Sequence, residues 1–143
     1  MPEKSMENRI KLVEEHLRAE NAHDLDAIMA TFGKNPNFNL NGSSLDGSEN
    51  IGGMYSSFGF GENGSFSNIR IQSQGQHVSD ESIIVELILK AKHTGNFQGI
   101  EATNREFEIP LCAIFEFDSE EKLACERVYF DGASLLQQLG VLS

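Results

Sequence analysis

The chain has 143 residues and carries 22 acidic against 11 basic side chains, a formal net charge of −11. That length suits one domain with one core. The acidic balance repels phosphate backbones, so no nucleic-acid partner is expected. No apolar run approaches the roughly 20 residues of a membrane span, so no membrane partner is expected either. The first residues, MPEKSMENRIKLVEEHL, are charged and lack an apolar signal segment, which predicts a soluble, cytoplasmic protein. Cys112 and Cys125 have no CxxC spacing and read as buried thiols rather than a bridge.

Met6, Ile10, Val13 and Leu17 recur at helical spacing and predict a long amphipathic first helix. His16 flanks that stripe, with Glu20 four residues on; it either lines a pocket or sits in a helix–helix seam. Asp24 is placed to cap a second helix carrying Leu25, Ile28, Met29 and Phe32. Asn41-Gly42, between Phe38-Asn39-Leu40 and Ser43-Ser44-Leu45, supplies the positive φ of a two-residue hairpin turn. Ser48 is placed to cap a third helix with Ile51, Met54, Tyr55 and Phe58 on one face. Gly59–Gly64 matches G-x-G-x-x-G, but a helix precedes it and a strand follows. That order is wrong for a dinucleotide site and suits a loop at a pocket rim.

From Phe66 the apolar period changes to two. Strands are predicted over 66–77, 82–93, 105–117 and 123–131, then a short helix near 134–139 that stops at Gly140. The chain therefore reads as α+β, helices packed on one face of an antiparallel sheet. The odd positions Ile83, Val85, Leu87, Leu89 and Ala91 lead to His93, and Phe107, Ile109, Leu111, Ala113, Phe115 and Phe117 match them on the next strand. An even register throughout also turns Leu123, Cys125, Arg127, Tyr129 and Asp131 to that inner face. His93 and Asp131 then share one sheet edge, about 10 Å apart, at the polar mouth of an apolar concavity.

On the outer face, a register that sets Lys92 opposite Glu106 and Lys90 opposite Glu108 gives cross-strand ion pairs. Ile84, Ile88, Ile114, Val128 and Phe130 lie among these charges. That face suits either a homodimer contact or a solvated surface with scattered apolars.

The four histidines form no HxH or HExxH pattern, so no metal centre is expected. Arg127 on an inner face needs an acid or a ligand as partner. Asp131 reads either as the N-cap of the last helix or as an acid/base group at the pocket mouth.

The runs Lys92-His93-Thr94-Gly95-Asn96-Phe97-Gln98-Gly99-Ile100, Glu126-Arg127-Val128-Tyr129-Phe130-Asp131 and Leu135-Leu136-Gln137-Gln138-Leu139-Gly140 resemble the SnoaL-like polyketide cyclases, of the nuclear-transport-factor-like and ketosteroid isomerase-like superfamily. The resemblance covers nearly the whole chain. It implies a cone of curved sheet wrapped around the N-terminal helices, with an internal pocket. It also implies cofactor-free cyclase or isomerase chemistry, in which a carboxylate removes a proton α to a carbonyl of an apolar small molecule. On that resemblance Asp131 is the acid/base and His93 the second catalytic group. Tyr129, Arg127, His16, Tyr55, Phe58 and Leu111 are expected to contact substrate. Glu101 and Asn104 depart from the family pattern in the loop after His93. The alternative function is a non-catalytic small-molecule binder or carrier of the same fold.

Overall fold

A computed structural model describes residues 3–142. Two helices, α1 (Glu3–Asn21) and α2 (Leu25–Ala30), precede the hairpin of β1 (Phe32–Leu40) and β2 (Ser43–Asp46). Then come α3 (Ser48–Tyr55), four strands and α4 (Gly132–Gln138). The strands are β3 (Phe66–Val78), β4 (Ser82–His93), β5 (Glu106–Phe117) and β6 (Leu123–Phe130). They form one curved, unclosed sheet in the order β2-β1-β6-β5-β4-β3. The sheet is mixed, because β1 runs parallel to β6. Phe32, expected in the second helix, instead opens β1.

Local chemistry accounts for several boundaries. Asp24 caps α2 by accepting from Ala27 N at 3.0 Å. Leu40 pairs with Ser43 across a turn in which Asn41 and Gly42 both have positive φ. The third helix departs from expectation: its N-cap is Gly47, and no side chain caps it.

The β4–β5 register is the one read from the sequence, with Lys92 opposite Glu106 and Lys90 opposite Glu108. Lys90 and Glu108 approach to 3.6 Å. Odd residues of both strands turn inward onto α1 and form the core with Val13, Ile28 and Ile51.

The even register fails between β5 and β6. Phe117 pairs with Leu123 but Glu116 with Cys125, so Ala124 is an extra residue in β6. Beyond that bulge Leu111 faces Phe130, Ala113 faces Val128 and Phe115 faces Glu126. Because side chains alternate, one inserted residue exchanges the two faces of the strand. Glu126, Val128 and Phe130 therefore point inward, and Arg127 and Tyr129 point outward. The expected placement of Val128 and Phe130 on the outer face, and of Arg127 and Tyr129 on the inner one, is corrected accordingly.

Candidate functional site

Between the helices and the concave sheet lies a small, partly open cavity of about 80 Å³. Its wall is almost wholly apolar: Phe38 and Leu40 of β1, Met54 of α3, Leu87 and Leu89 of β4, Phe107 to Ala113 on the inner face of β5, Val128 and Phe130 of β6, and Leu135 of α4. Phe58 and Phe60 enter from a single π-type turn, Ser56–Phe60, that continues α3. Gly59 in that turn has φ of 145°, and a Cβ there would strike the Phe66 carbonyl. Glycine is therefore required for the two phenylalanines to reach the cavity.

Three polar residues interrupt this wall: Glu20, Tyr55 and Glu126. They meet His16 at the floor. His16 and Glu20 project from the same face of α1, one turn apart, with Nε2 and Oε1 3.8 Å apart. Glu126 enters from β6 because of the bulge, and its Oε1 lies 3.2 Å from His16 Nε2. The Tyr55 hydroxyl donates to Glu126 Oε1 at 2.7 Å and lies 3.2 Å from His16 Nε2. On its far side His16 Nδ1 is 2.8 Å from Thr31 Oγ1. The edges of Phe32 and Phe115 close around the ring.

Burial sets the charge state of this group. For His16 desolvation alone would lower the pKa, but the carboxylates of Glu126 and Glu20 outweigh it and push the ring up to about 9. Burial pushes Glu20 up to about 8, against the opposing pull of His16. Burial, reinforced by the two carboxylates, holds the Tyr55 phenol well above its usual range. His16 is therefore held toward the imidazolium and Glu20 toward the protonated acid. Glu126 accepts from the Tyr55 hydroxyl beside that ring. A proton donor and a proton acceptor thus stand side by side at the end of an apolar cavity, the requirement for paired acid–base chemistry.

The residues singled out in the sequence fall in three places. Tyr55, Phe58 and Leu111 line the cavity, and His16 sits directly beneath it. Arg127 lies on the outer face, donating to Glu116 at 2.8 Å, and Tyr129 is 44% exposed there. The remaining two, His93 and Asp131, are not among the described residues that line the cavity. His93 is fully buried beside Phe66 and Phe97, with Nδ1 accepting from Thr103 N at 3.2 Å and Nε2 without a hydrogen-bond partner among the described residues. Asp131 is exposed and accepts from Ser134 N at 3.2 Å, capping α4.

Glu126 was not among the candidate site residues of the sequence, because an even register throughout sets it on the outer face. The available signal was that Val128 and Phe130 are a greasier pair than Arg127 and Tyr129, which places Glu126 with them on the inner face. His16, Glu20 and Glu126 also offer three ligand atoms within 4.8 Å of one another. No motif reveals that set, because its members come from α1 and a strand more than a hundred residues later.

A family model described as SnoaL-like polyketide cyclase matches residues 11–139. No curated protein matches the sequence. Among solved structures, TsrD from Streptomyces laurentii superposes with a TM-score of 0.81 at 19% identity, covering 99% of each chain. A protein of ketosteroid isomerase-like fold from Catenulispora acidiphila, in complex with trimethylamine, gives 0.74 at 16% identity over 92% of this chain and 93% of that one. An LEH-like epoxide hydrolase from M. tuberculosis gives 0.73 at 17%, over 94% and 90%. At these identities the three structures establish the fold alone.

Proposed function

The chain belongs to the SnoaL-like polyketide cyclase family, and on that premise we propose that it is a cofactor-free acid–base enzyme of the cyclase or isomerase kind. Its substrate is an apolar, uncharged small molecule bearing a carbonyl. The observation that carries this reading is the buried Glu126–His16–Glu20–Tyr55 group at the floor of the apolar cavity.

In this mechanism the Glu126 carboxylate removes the proton α to the carbonyl. Protonated Glu20 donates to the oxygen on which charge develops, in a site where water does not compete for it. Glu20 then gives up its proton, either to another carbon of the enolate, giving an isomer, or to the alkoxide formed when the enolate attacks a second carbonyl of the same molecule and closes a ring. The His16 imidazolium lies against both carboxylates and steadies the charge that shifts between them. Asp131 has a structural part in this account: it caps α4, which carries Leu135 to the cavity wall.

Exchange of α-hydrogens tests the proposal without knowledge of the natural substrate. The neutral ketone 2-tetralone, incubated in D₂O and followed by NMR, should gain deuterium at its α carbons faster with the protein than in buffer. The protein-dependent rate should fall as pH rises through about 8, where Glu20 loses its proton. A rate equal to buffer at every pH would leave the non-catalytic carrier as the better reading.

A further inference from the structure

One buried hydroxyl decides which ring nitrogen of His16 exchanges its proton. Thr31 is the C-cap of α2 and is 2% exposed. Its hydroxyl has one proton, which it donates to the Ile28 carbonyl at 2.6 Å. The lone pairs of Thr31 Oγ1 remain, and His16 Nδ1 stands 2.8 Å away. Two groups that meet at that distance with the hydroxyl proton already committed leave only one arrangement, Nδ1–H donating to Oγ1. The opposite nitrogen, Nε2, is where the Tyr55 hydroxyl of α3, Glu126 of β6 and Glu20 of α1 converge.

We propose that Thr31 is a positioning residue for the site: its hydroxyl keeps a proton on His16 Nδ1 and so makes Nε2 the one ring nitrogen through which a proton passes between Glu126 and Glu20. This rests on the acid–base reading and deepens it. After Glu126 has taken a proton and Glu20 has given one up, the pair is in the reverse of its starting state. Nε2 returns the proton: the imidazolium gives its Nε2 proton to Glu20 and recovers one from Glu126. Both transfers are internal, so the floor resets with no gain or loss of protons and no water needed.

The groups facing the ring are Glu20 from its own helix, Tyr55, Glu126 and Thr31, with Phe32 and Phe115 packed against its faces and edges. Removing the Thr31 hydroxyl strands Nδ1–H against a methyl group. The neutral ring escapes that penalty by moving its proton to Nε2, whereas the imidazolium cannot. Thr31→Val should therefore both change the tautomer and favour deprotonation.

Long-range ¹H–¹⁵N correlation spectra of the histidine rings in the full chain, recorded against pH, read both effects. The His16 signals are identified by their loss in His16→Gln. In the wild type the neutral ring should carry its proton on Nδ1, with a midpoint near 9. Thr31→Val should lower that midpoint by about one pH unit or more and move the neutral proton to Nε2. Thr31→Ser, which keeps the hydroxyl, should behave as wild type. A wild-type neutral ring protonated on Nε2 overturns the proposal, and this arm stands even if Thr31→Val does not fold. An unchanged tautomer and midpoint in folded Thr31→Val also overturns it. Either failure leaves the ketone exchange assay untouched, whereas absence of exchange with the expected tautomer in place refutes the acid–base reading instead.

Discussion

Replacing Glu20 by glutamine should reverse in sign, between acid and alkaline pH, its effect on stability. Glu20 keeps its proton up to about 8 in the folded protein, against an ordinary 4.5. Between those values the folded chain binds a proton that the unfolded chain has released. Stability must therefore fall as pH rises through that window, by up to about 1.4 kcal/mol per pH unit from this one group. His16 acts in the same direction over a later window. Its raised value makes its contribution complete below 6.5, with loss as pH climbs to about 9.

Glutamine keeps the shape of the neutral acid and has no proton to lose. At pH 5, where wild-type Glu20 is already neutral in the fold, Glu20→Gln should cost little. Near pH 9 it should be the more stable protein, because the wild type then holds an ionised Glu20 beside Glu126. Urea unfolding at pH 5, 6, 7, 8 and 9 measures the difference, and surface carboxylates common to both proteins cancel in it. A difference that stays constant from pH 5 to 9, or that moves in favour of the wild type at high pH, would refute the charge state assigned to the floor.

Two further outcomes concern the rest of the fold. Asp131→Ala should lose about 1 kcal/mol in denaturant unfolding, the worth of an N-cap, while Asp131→Asn should stay close to wild type. The outer face of β4 to β6, where Ile88 and Ile114 lie among charged residues with Tyr129 exposed nearby, is expected to meet a second copy of the chain. Light scattering should give twice the chain mass and Tyr129→Glu should shift it toward monomer, whereas a monomer at every concentration would contradict that assignment.

What the sequence conveys here depends on how local the determining chemistry is. Strict alternation in β4 and β5, together with the Lys90–Glu108 pair, sets their register, because the inner residues up to His93 are apolar and most of the outer ones tolerate water. Asn41-Gly42 and Asp24 announce a turn and a cap through their own side chains and backbone. The bulge at Ala124 has no such marker, since leucine, alanine and cysteine at 123–125 fit either face. A single unseen insertion was enough to send Arg127 and Tyr129 outward and to hide Glu126. The i, i+4 pair His16–Glu20 was visible as a spacing. Its chemical meaning was not, because the pKa values of both groups are set by Glu126 and by burial, and burial is a property of the whole fold. Asp131 had two sound readings, and its hydrogen bond to Ser134 N and its exposure favour the cap.

Proton transfer at the floor of the cavity, rather than beside the cap of α4, can be read from a pair of variants in the 2-tetralone exchange assay. Glu126→Gln keeps the shape and the hydrogen bond from Tyr55 but removes the base. It should slow exchange by about 10²–10⁴-fold, the usual share of a general base. Asp131→Asn keeps the cap and should exchange at the wild-type rate. Loss of exchange in Asp131→Asn with full activity in Glu126→Gln would contradict the account and move the chemistry to the end of β6.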